Sequence, residues 1–414
     1  MKKLIKLSIL VWIALQFVGC SDSDSGEKAR EEIPLSRAEV EVAQSVNGLT
    51  CALMNHMNDQ AENNFVISPL GLSYTLGMMA NGAVGETQQQ MLEAINIGCD
   101  DIESLNNLMQ KLMEKFPVVD PKTKVSLANA FWIDKVVSSS IKPAFVETLG
   151  TYYYADVTSQ KNLGGTDGMD AINSWGKQHT GGLIPKVLGK PLGSGTHIAC
   201  TNAIYFKGFW KQQFKKENTK NHRFTHLDNT FTYVYTMDHE GMRVQAYDED
   251  DYRVAAIPYG NEAYSLIILL PNEGLDPMET FAKANIEDLT KLAKGEMYSC
   301  VYHVQLPRFT VDTGTDFVPT LKKMGMTLPF TSEADFSGIA GNGTTMSKAL
   351  QSAKIIVDEE GTVAAAVSAS AGGLLSPGPP DNLEFFVNHP FAFAIAERST
   401  GIFLFAGVVR RIDQ

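Results

Sequence analysis

Basic residues are in deficit. The chain of 414 residues carries 35 Lys and Arg against 47 Asp and Glu, a net charge of −12. Gripping nucleic acid or a polyanionic glycan needs a basic stripe, so neither partner class fits this composition. Cysteine is also scarce, at five residues. There is no C-x-x-C pair and no metal-ligand spacing. Besides Cys20, the cysteines Cys51, Cys99, Cys200 and Cys300 are widely separated. Four cysteines in an exported domain could form two disulfides, but Cys51 and Cys200 sit inside apolar runs, which favours buried free thiols.

Catalytic constellations are missing too. No G-x-S-x-G elbow and no G-x-x-x-x-G-K phosphate loop occurs. Asp312-Thr313-Gly314-Thr315 matches the D-T-G-[ST] string in which two carboxylates share a proton, but it has no second copy. Ser139-x-x-Lys142 and Ser174-x-x-Lys177 lack the S-D-N and K-T-G partners that S-x-x-K chemistry requires. His222 and His226 share one face of a strand-like run with no H-E-x-x-H glutamate, and read as a histidine pair rather than a metal site. No cofactor, metal or enzymatic activity is expected.

What is present begins with an export signal. Lys2, Lys3 and Lys6 precede an apolar run from Leu7 to Phe17 that is too short for a stable membrane span. Phe17-Val18-Gly19-Cys20 resembles a bacterial lipoprotein box, with Phe17 where leucine is usual. This implies a signal peptide over 1–19 and lipidation at Cys20. Residues 20–35 read as an acidic flexible tether. Acidic residues directly after the cysteine resemble the surface-export signal of some Gram-negative lipoproteins. The expected location is the outer membrane, outward or periplasmic, with the lipid as the only membrane contact.

One large domain is expected over 36–414, since neither repeats nor a composition break divide it. Ser36 and Glu39 form a capping box ahead of an amphipathic helix carrying Val42, Val46, Leu49 and Leu53. Phe65–Ile67 reads as a short strand, with an apolar helix from Pro69 to about Ala80 broken at Gly82. Another helix starts near Glu86-Thr87. Val125–Ile133 alternates as a strand, and a helix containing Trp175 stops at Gly181-Gly182. From Ile198 onward strands dominate, interrupted by one helix over LDPMETFAKANIEDLTKLAKG. Helices first and strands later, without βαβ alternation, define an α+β class.

The stretch IIVDEEGTVAAAVSASAGGLLSPGPP, Ile355 to Pro380, organises the rest. A β-branched strand meets the acidic corner Asp358-Glu359-Glu360, then a run of small residues from Gly361 to Gly373. By composition alone this is a solvated linker. As an extended strand, Thr362, Ala364, Ala366, Ser368 and Ser370 share one uncharged, compact face that could slide between existing strands. The residues from Gly361 to Leu375 would span roughly 50 Å extended, enough for a full central strand. The segment can be an exposed loop or a buried strand, so it is a bistable element.

NFVISPLGLSYTLGMMANGAVGETQQQM, Asn129 in LANAFW, INSWGKQHTGGLI, TNAIYFKGFWKQQF, YSLIILLP, FVNHPFAFAI and LFAGVV fall in the order of the serpin family (serine protease inhibitors), which this chain resembles over 36–414. DEEGTVAAAVSA resembles the hinge of its inhibitory members. The resemblance implies three β-sheets, about nine helices and a reactive-centre loop at about 359–380, exposed from Gly361 to Ser376. It implies a suicide mechanism: a protease cuts the loop, is held as an acyl-enzyme, and is dragged as the loop inserts into the central sheet. Gly361, Thr362, Val363, Ala364, Ala365 and Ala366 would form the hinge. Counting from Glu359 as in typical members sets the scissile bond at Leu375–Ser376, with Leu374–Leu375 the alternative. Leucine suits the apolar pocket of a chymotrypsin-like or elastase-like protease, whose burial of the side chain supplies about 2 kcal/mol; a cysteine protease is a second partner class. A monomer is expected. Trp210 would cap the breach above the sheet. Ser68 and Asn202 match the shutter below it, but Gly71 and Gln351 stand where the family has a second serine and a histidine. The competing reading is a non-inhibitory member acting as a surface binding protein.

Overall fold

The computed structural model describes residues 30–57, 63–98, 102–340, 345–346, 348–362 and 383–412. Cys20, Cys99 and the segment from Val363 through Leu374, Leu375 and Ser376 lie outside the described residues.

Helix α1 (Arg37–His56) opens with the predicted capping box: the Glu39 amide donates to Ser36 Oγ while the Glu39 carboxylate accepts from the Ser36 amide. That exchange satisfies two of the donors a helix start leaves unpaired. Strand β1 (Phe65–Ile67) leads into α2 (Pro69–Ala80), a helix buried on every side, with Ser68 as its N-cap. Helices α3 (Glu86–Glu93) and α4 (Ile102–Lys115) follow, then β2 (Lys124–Asp134), α5 (Pro143–Tyr153), β3 (Asp156–Gln160) and α6 (Thr166–His179). The strand-rich half runs β4 (Ile198–Phe209), β5 (Lys220–Thr225), β6 (Phe231–Asp248), β7 (Tyr252–Pro258) and β8 (Tyr264–Pro271).

The single helix expected after β8 is two. Asp276 caps α7 (Pro277–Lys283), and Asn285 caps α8 (Ile286–Lys294) by accepting from the Glu287 amide. Ala284 between them is extended, so the chain turns where an asparagine offers a new cap. The chain closes with β9 (Ser299–Pro307), β10 (Phe309–Asp316), α9 (Val318–Lys323), β11 (Leu350–Val357), the two-residue β12 (Gly361–Thr362), β13 (Leu383–Phe386), β14 (Phe391–Glu397) and β15 (Phe403–Val409).

These strands build the three β layers expected. One sheet of six has the order β10-β11-β12-β4-β2-β3. The other nine strands divide at β6, whose register with β9 breaks between His239 and Met242. Its first half lies between β5 and β9, with β13 beyond, while its second half passes to β7, β8, β14, β15 and β1. Strands β8, β14 and β15 are buried at every position and carry the main core with α2. Such continuous apolar strands are covered on both faces. Cys51, Cys200 and Cys300 are free thiols; Cys200 is buried as expected, while Cys51 and Cys300 are half-buried. Burial raises the Cys51 thiol to about 11, which removes its nucleophilic form at neutral pH. The Asp312 string has a structural use: Asp312 pairs with Lys354 across the β10–β11 ladder at 3.2 Å, and Thr313 Oγ1 accepts from the Val66 amide.

Candidate functional site

The acidic corner after β11 is a turn that sends the chain back into the same sheet. The Asp358 amide donates to Gly361 O at 2.9 Å and the Gly361 amide to Asp358 O at 3.2 Å. Gly361 holds φ +149, and a Cβ there would strike the Gly208 carbonyl, so glycine alone fits. Thr362 then pairs with Val357 of β11 on one side and Gly208 of β4 on the other. The exposed loop predicted from Gly361 therefore includes neither Gly361 nor Thr362. Gly361 and Thr362 are already strand and buried, Thr362 to 1% exposure. The cause is the tight 358–361 turn, which leaves the hinge no direction except along β11.

Below these two residues the described strands leave a seam. Among the described residues no ladder joins β11 to β4; β12 is their sole link in the strand order. Since β12 is antiparallel to both, β11 and β4 run parallel to each other. A strand continuing downward from Thr362 is thus antiparallel to both walls, with hydrogen bonds available on each side.

Trp210, predicted to cap the breach, sits at the top of this seam and is buried. Its amide donates to Glu360 O at 2.9 Å and its indole Nε1 to Asp358 O at 2.8 Å. Its ring stacks on Tyr259 with centroids 4.5 Å apart at 10°. Such a pair contributes about 1 kcal/mol beyond burial. The Tyr259 hydroxyl bonds Thr362 Oγ1 at 2.5 Å. Tyr259 was not legible as a site residue, because only the fold brings it to the hinge. Glu359 was counted as a loop boundary, yet it is an anchor. It is buried, and Arg308 donates to it from Nε at 2.8 Å and from Nη2 at 2.5 Å, with Thr219 Oγ1 also at 2.5 Å. Burial pushes the Glu359 carboxyl up, but Arg308 and Thr219 outweigh it and the group titrates below its usual value of 4.5.

The residues predicted for the shutter lie deeper along the seam. Gln351, in place of a histidine, clasps the start of α2 from both directions. Its Oε1 accepts from the Ser68 amide at 2.6 Å and its Nε2 donates to Ser68 O at 2.9 Å. Ser68 Oγ donates to Leu404 O at 2.6 Å and accepts from the Gly71 amide at 3.0 Å. Asn202 Nδ2 donates to Asn129 Oδ1 at 2.8 Å, while Asn202 Oδ1 is buried without a partner. A Cβ at Gly71 would collide with that same oxygen, so the glycine makes room for it. With Gln351 where the family has a histidine, the clasp is a neutral amide that does not titrate.

The comparisons with known proteins agree with this geometry. The family model described as Serpin (serine protease inhibitor) matches residues 44–412, and the chain belongs to the serpin family. It is similar to Serpin B4 of Homo sapiens, 31% identical over 376 residues covering 86% of this chain and 95% of the relative. It is also similar to Iripin-3 of Ixodes ricinus, 32% identical over 375 residues covering 88% and 93%. Among solved structures, the native thermophilic serpin tengpin superposes with a TM-score of 0.81 at 27% identity, covering 93% of this chain and 97% of that one. Human thyroxine-binding globulin shares the fold at a TM-score of 0.81 and 23% identity, covering 91% and 100%. Members of this family are mostly protease inhibitors rather than enzymes.

Two outcomes follow from the site. Gln351→Ala leaves the Ser68 amide buried and unpaired, while Ser68 O keeps the Leu72 amide at 3.0 Å; the lost partner costs about 1–3 kcal/mol, and calorimetry should show a lower unfolding temperature. The depressed Glu359 carboxyl supplies stability that is present above pH 4.5 and lost as pH falls through its folded-state value. Unfolding temperature should fall on acidification below pH 4.5, and this component should vanish in Arg308→Met, where the buried carboxylate lacks its cation.

Proposed function

We propose that this protein is a suicide inhibitor of serine proteases, cut at Leu375–Ser376, or at Leu374–Leu375, and trapping the protease as its loop enters the central sheet. The observation that carries the reading is the seam between β11 and β4 with Gly361 and Thr362 seated at its mouth. Continuing the Thr362 register downward pairs Ala364 with Ile355 and Phe206, Ala366 with Ala353 and Ile204, and Ser368 with Gln351 and Asn202. Those partners all lie on the buried face of β11 and β4. The face that enters the core is therefore the one made of Thr362, Ala364, Ala366 and Ser368, where a long or charged side chain would have no room. Ser368 would arrive beside Asn202 Oδ1, the buried acceptor without a donor. On the β4 side the ladder can run to residue 372, opposite Ile198, close to the end of the small-residue run.

An inserted strand gains hydrogen bonds along both edges, so the uncut protein persists through a barrier and not because it is the lowest state. Leucine before the cut selects a chymotrypsin-like or elastase-like protease, with a cysteine protease as a second class. The other reading, a non-inhibitory binding protein, is favoured only by kinship of fold with thyroxine-binding globulin. Against it stands the hinge, which has no bulky or charged residue from Gly361 to Ala366. The chain works as a monomer and is held to the outer membrane through lipid on Cys20, outward or periplasmic.

Incubation with chymotrypsin or elastase should yield a complex that survives boiling in SDS, and loop cleavage should raise the unfolding temperature by tens of degrees on the order expected for a completed sheet. Thr362→Arg should abolish trapping while cleavage continues; a trapped protease in that variant would overturn the hinge assignment. Labelled palmitate should enter the protein in a Gram-negative host and be lost in Cys20→Ser; equal labelling of both would remove the anchor.

A further inference from the structure

Most of the large apolar and aromatic side chains exposed on this protein occur singly along the chain, which is ordinary for a folded surface. One group does not. Phe231, Tyr233 and Tyr235 are 49%, 60% and 48% exposed and sit at alternate positions at the start of β6, so all three project from one face. Leu227, also exposed, lies in the turn just before them. A contiguous exposed group of this kind marks a place where something else docks.

Strand β5 lays its outward residues beside the row. Arg223 stands opposite Tyr233, Thr225 opposite Phe231 and Asn221 opposite Tyr235. The Arg223 guanidinium lies over the Phe231 ring at 4.5 Å, and the Arg308 guanidinium, just beyond β9, lies over the Tyr235 ring at 5.4 Å. Phe231 and Tyr233 meet edge to face with centroids 5.8 Å apart. Two arginines therefore close the ends of an aromatic row and hold its rings in place, which reduces the ordering cost of binding. Charge here runs against that of the whole chain. From Lys211 to Arg223 there are five basic residues and one acidic, Glu217, although the total is −12. Arg308 is committed to Glu359, Lys216 to Glu360 and Arg411 to Asp228, whereas Arg223 has no ion pair among the described residues. A guanidinium stacked on a ring still presents the N–H groups of its edge to a carboxylate.

We propose that this face of β5 and β6 docks an acidic polypeptide segment that carries apolar side chains between its carboxylates. Aromatic residues and arginine, rather than lysine and glutamate, are the side chains enriched where proteins bind proteins. A carboxylate of the partner meets the free edge of Arg223, and its apolar side chains cover Tyr233 and the exposed parts of Phe231 and Tyr235. Single-stranded nucleic acid also stacks on aromatic rows, but it needs a basic groove along its backbone. A chain of −12 with one unpaired arginine on this face does not offer one. The assignment uses neither the seam nor the segment after Thr362, and it stands whether or not the protein traps a protease.

The probe is a random copolymer of glutamate and tyrosine, with polyglutamate and oligothymidylate as comparison polymers. Biolayer interferometry on the immobilised full-length chain should give saturable binding of the copolymer that weakens as salt rises. Polyglutamate, which lacks the rings, and oligothymidylate should each bind more weakly by about tenfold, the loss of one hot-spot contact. Arg223→Glu and Tyr233→Ala should each weaken the copolymer by about tenfold as well. Both side chains are exposed, so both variants should unfold at the parent's temperature. Lys283→Glu makes the same change in net charge at an exposed site on α7 and should leave the affinity unchanged. Absence of saturable copolymer binding overturns the proposal. So does unchanged affinity in either β5–β6 variant, or equal weakening by Lys283→Glu, which would make the effect one of net charge. Oligothymidylate or polyglutamate binding as tightly as the copolymer also overturns it, the first as nucleic-acid binding and the second as plain ion exchange.

Discussion

The structure depends on a pair of strands that are neighbours in the sheet order without being bonded to each other. β11 and β4 run parallel, and a two-residue strand wedged at their top is their only link among the described residues. Two strand edges facing one another inside a sheet form an acceptor for a third strand. In most proteins that edge is a hazard to be blunted. Under the proposed mechanism the small-residue run after the wedge is the filler, and the direction of β12 would make it antiparallel to both walls.

Two clusters hold this arrangement from opposite ends. At the top, the Trp210–Tyr259 stack, the Tyr259–Thr362 bond and the Arg308–Glu359 pair keep the turn at 358–361 seated. Lower down, Gln351 holds Ser68 by both of its backbone groups and fixes the start of α2 beneath the sheet. Widening the seam means breaking these contacts before any new ladder is made. A barrier of that kind separates two arrangements of the same chain without deciding which is lower. The substitution of a glutamine at this point keeps the clasp intact across the pH range in which a histidine would change charge.

Much of this was legible along the chain. The capping box at Ser36, the helix starting at Pro69 and the strand through Val125–Ile133 are local patterns that the fold reproduces, although β2 is buried at every position from Leu127 rather than alternating, because both of its faces are covered. Trp210 bonds the turn at 358–361, and Ser68, Asn202 and Gln351 cluster at the start of α2 between β4 and β11. The two helices in place of one after β8 were missed because apolar periodicity runs on through Asn285, and the capping choice is made only when the chain turns. Tyr259 and Arg308 were missed because they lie 103 and 51 residues from their hinge partners Thr362 and Glu359. Nothing in a linear string marks a tyrosine as the partner of a distant threonine.

By itself the sequence determined the class of the fold, the position of the small-residue run and which of its faces could be buried, because alternation and residue size are properties of neighbouring residues. Only the tertiary structure decided that Gly361 and Thr362 are already strand, that Glu359 is an anchor, and that no ladder joins β11 to β4 among the described residues. Those are relations between strands, set by hydrogen-bond ladders and packing across the whole domain, and no single segment contains them.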